Sequence, residues 1–571
     1  MDGRYKNSPV PLEEITGTIG SMILERAIEW PDHAVLAHRE GSAFVPVCWR
    51  ALLKDVVSVV GFLDARGTRK GDRVAVLSPN SYAMLVWELA VTSMGGMSVP
   101  IFAGHHTPQI DYILRHSEVS GIFVDGGERL ARLEACPAFP GIQTVVTQEP
   151  SNHMQFGHCL NGNSSERFLQ LAKNVRADDV CFIHYTSGTT GDPKGVMLTH
   201  RNIISQRKAL EKVWEIPLGS RFLAHLPWHH SFGGLFERFT ALHQGATLCL
   251  DDGAGRDTQR LIANWNLVKP THFFSVPKVY RALVTEAKLD PGIRDILFHP
   301  ELRFLFTAAA PLPRECDEYF NAHDIPVLEG WGLTETSPDV TITRLDQKRI
   351  HSYVGHPIPG CEILTTVDNE ILVKGPNVMK GYYRDPERTA SAIDSYGWFH
   401  TGDMGELTDY GLKLHCRRDG LFKLANGEKV PSVAVELALT TDSRLINQAV
   451  VFGTGENYVA ALLFPEFHEL EERASRTGRP QAKGWDLSGN AEIQNLFRQE
   501  VETINRQLQP SYLAVRAFVI IPDDLTVANG CLTPSMKIIR HQVEGRYKDW
   551  IRAIFCPAQH PEKCDFIVRL D

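Results

Sequence analysis

Through its first 340 residues the chain alternates between short, solidly apolar runs and longer segments of helical period. The runs RVAVLSP (73–79), GIFVDGG (121–127), DVCFIHY (179–185), ATLCLDD (246–252), THFFSVP (271–277) and LRFLFTAAAP (302–311) are bounded by Gly, Pro or Asp. Their apolar residues do not alternate with polar ones, as they would in a strand with one wet face, so both faces of each strand are expected to be covered. Segments between them, such as SYAMLVWELAVTSMG (81–95), read as helices. Strand–helix alternation on this scale calls for crossover connections and parallel sheets layered with helices, an α/β fold.

From about residue 350 the pattern changes to shorter strands with turn signals, as in GELTDYGLKL (405–414) around Asp409 and Gly411. A charged patch, RRDG (417–420), then leads into a mixed segment running to the end. The expected organisation is a large N-terminal domain, 1–416, of α/β sheets flanked by helices with a small β-rich subdomain, followed by a small α+β domain, 417–571. The polar stretch QEPSNHMQFGHCLNGNSSER (148–167) reads as a surface loop.

A length of 571 residues exceeds one compact domain. The net charge of -9 argues against nucleic acid as the main partner, because phosphate backbones select basic surfaces. Eleven Cys without a Cys-x-x-Cys pair read as free thiols in a reducing compartment. The N-terminus MDGRYKNSPVPLEEI lacks the order of a signal peptide, and no run reaches the roughly 18 apolar residues of a membrane span. The ending IVRLD is neither a peroxisomal address nor a prenylation box. A cytoplasmic protein is expected, with peripheral membrane association left open.

The segment YTSGTTGDPKG, Tyr185–Gly195, follows the run DVCFIHY and precedes HRNIISQRKALEKVW, a helix that Thr199 can cap, with Ile203, Leu210, Val213 and Trp214 at helical spacing. Such a loop can offer backbone N–H groups, hydroxyls and the Lys194 ammonium to an anion, and Gly188, Gly191 and Gly195 let it change shape. It is not a Walker loop, which needs Gly-Lys-Ser/Thr with the lysine opening a helix. Here Pro193 and Gly195 flank Lys194, and a second strand-like run, VMLTH, comes before the helix.

With Tyr-Thr-Ser-Gly-Thr-Thr-Gly-x-Pro-Lys-Gly present in full, the chain resembles the adenylate-forming superfamily of acyl-CoA synthetases, luciferases and peptide-synthetase adenylation domains. The resemblance assigns Thr186, Ser187, Gly188, Thr189, Thr190 and Lys194 to ATP phosphates and the departing pyrophosphate. Further motifs follow in the superfamily's order.

EGWGLTETS (329–337) offers a ring for stacking, a hydroxyl for phosphate and a carboxylate for a cation, although alone it reads equally well as a capped turn. By resemblance Trp331 stacks on adenine where the superfamily usually has Tyr, Thr334 contacts the α-phosphate and Glu335 binds Mg²⁺. FTAAAPLP (306–313) matches the Ser-Gly-Gly-Ala-Pro strand that flanks adenine and the acyl pocket, with Thr307, Ala308 and Ala309 replacing Ser, Gly and Gly, and Ala310 following. Two added methyls are expected to narrow that wall. In GWFHTGDMG (397–405), Asp403 is implied to accept the ribose hydroxyls.

In RRDGLFKLANGEKV (417–430) the resemblance makes Arg417 the ribose-binding arginine, Asp419 the hinge of a mobile C-terminal domain and Gly427 part of the face presented for the thiol step. Cys416 stands where the superfamily often has Gly or Asp. In LTPSMKIIR (532–540), a pattern closest to the fatty acyl-CoA synthetase branch, Lys537 is implied to reach the carboxylate and α-phosphate during adenylation.

LPWHHSFGG (226–234) matches the segment whose histidine, here His230, borders the acyl site. His229 and His230 do not read as a zinc pair, because chain neighbours point apart and no third ligand is suitably spaced. Amino-acid-activating members of the superfamily carry an Asp near this segment to pair the substrate ammonium; none lies within LPWHHSFGG, so the resemblance favours an acid without an α-amino group. Trp228, Phe273 and Phe274 either line an apolar tunnel or pack the core.

The resemblance thus implies an ATP-dependent carboxylic (fatty) acid–CoA ligase acting through acyl-AMP, with Lys537, Glu335, Thr334 and His230 as its catalytic set. It implies Mg²⁺, ATP and coenzyme A as cofactor and co-substrates. Two alternatives stand beside it: an acyl-AMP ligase loading a separate acyl carrier protein, and a silent nucleotide-binding regulator.

Overall fold

The computed structural model describes residues 4–162, 164–186, 193–347, 349–350, 352–441, 443–471, 488–526, 529–532 and 538–570, with only the backbone at Asp419. The chain divides into two compact units, Met1–Thr401 with Leu407–Lys413, and Gly402–Glu406 with Leu414–Asp571.

The solidly apolar runs of the first unit become the strands Arg73–Leu77, Gly121–Val124, Val180–Thr186, Thr247–Leu250, His272–Ser275 and Phe304–Thr307. Consecutive residues Val74, Ala75, Val76 and Leu77 are all fully buried, as sheets covered on both faces require. Helix Tyr82–Ser93 begins where the Ser81 side chain accepts the Met84 N–H at 3.1 Å.

Among the described residues, one sheet has the spatial order Gly381–Tyr382, Lys194–Thr199, Val180–Thr186, Met97–Ile101, Arg73–Leu77, Gly121–Val124, Thr144–Thr147 and Met154–Gln155. Its strands run parallel from Val180–Thr186 to the last. Lys194–Thr199 is antiparallel to Val180–Thr186, with Lys194 opposite Thr186. The segment 148–167 is more structured than a surface loop: it holds the edge strand Met154–Gln155 and the short helix Phe156–Cys159. Phe156 and Cys159 are buried, and the Phe156 ring lies 5.5 Å from that of Phe123. Two isolated apolar side chains in a polar stretch are too few to show a period, so tertiary packing decides this element.

A second sheet contains Ala34–Glu40, Thr247–Leu250, Arg221–Ala224, His272–Ser275, Phe304–Thr307 and Val327–Trp331 as parallel neighbours. A third, smaller sheet takes in Tyr5–Asn7, Glu362–Thr365, Glu370–Lys374, Phe399–Thr408 and Gly411–Arg417. Trp228, Phe273 and Phe274 are fully buried in side-chain packing, with Phe274 5.6 Å from Phe236 and Phe273 4.6 Å from Trp265.

A buried ion pair between Glu88 and Arg238 ties the helix Tyr82–Ser93 to the helix Arg238–Gln244, each side chain being 1% exposed. Removing two charges from water costs several kcal/mol per ion, so such a pair persists only with further bonds. Ser98 Oγ donates to Glu88 Oε1 at 2.9 Å, Arg238 Nε donates to the Gly234 carbonyl at 2.9 Å, and the guanidinium carbon lies 5.1 Å from the Trp228 ring centroid.

In the second unit, strands Ile446–Phe452, Val459–Pro465, Val515–Ile520 and Ile567–Arg569 form one sheet. Its side chains alternate between two cores. Val451, Ala461, Leu463 and Phe518 pack with Val435 and Phe497 in one. Val450, Leu462, Phe464 and Val519 pack with Val543 and Ile554 in the other. No described helix is long and apolar enough to cross a membrane.

Candidate active site

The strand Val327–Trp331 leaves the second sheet and turns sharply at Gly332 into the short 3-10 turn Thr334–Thr336. A Cβ at Gly332 would lie 1.7 Å from the Pro338 carbonyl oxygen, a contact no side chain can make. The turn brings two side chains expected to bind nucleotide next to other parts of the chain.

Thr334 Oγ1 lies 3.0 Å from Ser231 Oγ, at the start of the π-helical segment Phe232–Glu237. One residue earlier, His230 Nδ1 accepts the Phe232 N–H at 3.3 Å, which places the ring proton of a neutral imidazole on Nε2. This segment packs closely because Gly234 faces backbone: a Cβ there would lie 1.9 Å from the Trp228 carbonyl oxygen. The His229 ring lies tilted against Phe102, 4.5 Å between ring centroids, and burial holds its imidazole well below the usual histidine range.

Glu335 is fixed from the other side. Its carbonyl accepts the Met379 N–H at 2.8 Å, and its Oε1 accepts the Tyr382 hydroxyl at 3.0 Å. Tyr382 pairs with Val196 on the strand that Lys194 begins, and the Lys194 ammonium lies 5.3 Å from the Tyr382 ring centroid. The Tyr383 N–H also donates to the Gly195 carbonyl at 2.7 Å. One tyrosine thus bridges the signature-loop lysine and the expected magnesium carboxylate. Mg²⁺ commonly keeps several waters and takes one or two carboxylates plus substrate phosphates. Glu335 fits that role, because no described residue donates to its Oε2.

Trp331 is buried at the strand end. Thr186 is half-buried opposite Lys194. Thr307 is fully buried at the end of its strand, and Ala309 and Ala310 are exposed beyond it. Ala309 has φ 73°, a left-handed conformation in which an L-residue is strained by about 1–2 kcal/mol and in which the superfamily's glycine would not be.

A second group lies in the other unit. Arg417 and Asp403 form an ion pair at 3.1 Å, with Arg417 half-exposed and Asp403 mostly covered. Gly402 beside them has φ 69°. Gly427 occupies the turn between Leu421–Lys423 and Lys429–Pro431 with φ 86°, a conformation that favours glycine. Ser187, Gly188, Thr189, Thr190 and Lys537 lie outside the described residues, as does the side chain of Asp419.

The sequence reading missed Tyr382 and Ser231. Ser231 lies within the segment LPWHHSFGG and Tyr382 lies outside every motif quoted above, and their roles depend on contacts 103 and 47 residues away along the chain, which spacing does not reveal.

The profile of the family described as AMP-binding enzyme matches residues 24–383, and that of the AMP-binding enzyme C-terminal domain matches 419–559. The chain is 26% identical to the long-chain-fatty-acid–CoA ligase FadD15 of Mycobacterium bovis, over 94% of this chain and 97% of that protein. It is 26% identical to the chloroplastic long-chain-fatty-acid–[acyl-carrier-protein] ligase AEE15 of Arabidopsis thaliana, over 89% of this chain and 82% of that one. The fold is similar to the crystal structure of ATP-bound MatB from Rhodopseudomonas palustris, with a TM-score of 0.75 and 23% identity, over 94% of this chain and 100% of that chain. The full match to the signature loop, the fold and the family profile across residues 24–383 agree: the chain belongs to the AMP-binding enzyme family of the adenylate-forming superfamily.

Proposed function

We propose that the protein is an ATP-dependent carboxylic acid–CoA ligase whose acid is a fatty acid. The observation that carries this reading is the junction of Lys194, Tyr382, Glu335, Thr334 and Ser231, which gathers a cation, a carboxylate and two hydroxyls beside the segment containing His230. The name of FadD15 supports the acid and the acceptor.

In the first step a carboxylate oxygen attacks the α-phosphorus of ATP, and the bond to the β-phosphate oxygen breaks to give acyl-AMP and pyrophosphate. Both partners are anions, so the barrier is lowered by charge neutralisation and alignment more than by proton transfer. Magnesium held by Glu335 would supply positive charge at the phosphates. Lys194 faces the departing pyrophosphate, Thr334 donates to the α-phosphate, Trp331 stacks on adenine and the Asp403–Arg417 pair takes the ribose. Lys537, on the second unit, neutralises charge on the attacking carboxylate and the α-phosphate. In the second step the coenzyme A thiol, losing its proton, attacks the acyl carbonyl carbon and AMP departs. Asp419 is the hinge that changes the domain's task between steps, and Gly427 belongs to the face used for the thiol.

A second acceptor is kept because the relative AEE15 is named as a carrier-protein ligase. The reading is tested by offering purified protein ATP and Mg²⁺ with short, medium, long and aromatic acids, then CoA or acyl carrier protein. CoA-dependent thioester formation with a fatty acid is expected. Thioester on the carrier protein alone would replace the acceptor. A protein that binds ATP yet releases no pyrophosphate with any acid would be a silent binder instead. A cytoplasmic location goes with soluble co-substrates.

A further inference from the structure

Glu237 closes the π-helical segment Phe232–Glu237, which begins immediately after Ser231. It is fully buried, and neither carboxyl oxygen has a hydrogen-bond partner among the described residues. Its neighbour Arg238 does not serve it, being paired with Glu88. A buried carboxyl with no bonded atom is costly, and a π-bulge of this kind is frequent at functional sites.

The surroundings indicate where the carboxyl lies. The ring of Phe236, one residue before Glu237, lies 5.0 Å from that of Phe306, and the Tyr280 hydroxyl donates to the carbonyls of Phe273 and Phe306 at 2.9 and 2.8 Å. These carbonyls belong to the strands His272–Ser275 and Phe304–Thr307, side by side near their carboxyl ends. Thr307, the last residue of the second strand, is also fully buried, with its Oγ1 unpartnered among the described residues. Parallel sheets bind ligands beyond the carboxyl ends of their strands, and here Thr307 opens directly into Ala308–Ala310. Around this place stand rings: Phe232 and Phe236 lie 5.8 and 5.0 Å from Phe306. An apolar lining with one or two placed polar groups is how a small-molecule site sets specificity.

Burial alone pushes the Glu237 carboxyl well above the usual range, which favours the protonated form, a form that both donates and accepts. A plain alkyl chain laid against it would leave both oxygens unbonded. An alcohol would satisfy both, accepting from the acid O–H and donating to its carbonyl oxygen.

We propose that Glu237 is a specificity-determining residue, and that the acid activated by this chain carries a hydroxyl group on its hydrocarbon portion at the depth of Glu237. The proposal rests on the acid–CoA ligase reading above and narrows its substrate class.

The test compares saturated fatty acids with hydroxy acids of matched length, the hydroxyl being moved along the chain, in the wild type, Glu237→Gln and Glu237→Leu. Thioester formation gives kcat/KM for each acid, and thermal unfolding confirms that each variant is folded. The wild type should prefer at least one hydroxy isomer over its saturated counterpart by about 10- to 100-fold. Glu237→Leu should abolish that preference while processing the saturated acid at least as well as the wild type. Glu237→Gln, which keeps a donor and an acceptor in the same volume, should retain part of it. Two results overturn the proposal and leave the ligase reading intact: no preference for any hydroxy isomer, or an equal fall for both acids in Glu237→Leu and Glu237→Gln, as a carboxyl holding only a buried water would give. Failure of the wild type to ligate any acid would overturn the ligase reading and this proposal with it.

Discussion

The Tyr382 hydroxyl donates to Glu335 Oε1 at 3.0 Å while its ring lies 5.3 Å from the Lys194 ammonium. Two groups expected to act on the same triphosphate are therefore set by one side chain, itself fixed by strand pairing with Val196.

Tyr382→Phe keeps the ring under Lys194 and removes the bond to Glu335. A hydrogen bond to a charged group contributes about 1.5–3 kcal/mol, so affinity for Mg·ATP should fall roughly 10- to 100-fold with the fold intact. Calorimetric titration of ATP with and without Mg²⁺ reads this directly. Equal affinities in Tyr382→Phe and wild type would show that Glu335 needs no such support.

Breaking the Glu88–Arg238 pair from one side leaves an uncompensated buried charge. Glu88→Ala should destabilise the protein by about 3–5 kcal/mol. The double variant Glu88→Leu with Arg238→Met should recover most of that loss, since apolar replacement of a buried pair is often neutral. Denaturant unfolding of the first unit's signal measures both, and an equally unstable double variant would locate the cost in packing rather than charge.

His200 supplies a pH dependence. Its Nδ1 accepts the Ile19 N–H at 3.1 Å, and burial pushes its pKa from 6.5 down to about 4. His225, also buried, is pushed down to about 4 in the same way. With the folded value below the unfolded one, the unfolded chain takes the proton first. The contribution is fully present above pH 6.5, is lost as pH falls toward about 4 and changes no further below that. His200→Gln should make stability less steep in pH across this window while leaving His225 to act. Identical slopes in denaturation midpoint for variant and wild type would contradict the assignment.

Much of the fold was legible because strands buried on both faces leave long apolar runs in the sequence, and the runs from Arg73 to Thr307 become strands of two sheets. Phe156 and Cys159 show the limit: isolated apolar residues are buried through distant neighbours such as Phe123 and leave no period. The same holds at the site. Glu335, Thr334 and Lys194 sit in motifs of distinctive local chemistry, whereas Tyr382 and Ser231 acquire their roles by strand pairing and helix placement. Glu237 was invisible for another reason, since a Glu on a helix reads as solvated until its burial is seen.

The decisive measurement follows pyrophosphate, AMP and thioester together when wild type and Lys537→Ala are given a fatty acid, Mg·ATP and then CoA. The wild type should release pyrophosphate on acid addition and then form AMP and acyl-CoA in equal amounts once CoA is present. Lys537→Ala should bind ATP and release almost no pyrophosphate. AMP without acyl-CoA under every acid, or undiminished pyrophosphate release by Lys537→Ala, would contradict the proposed mechanism.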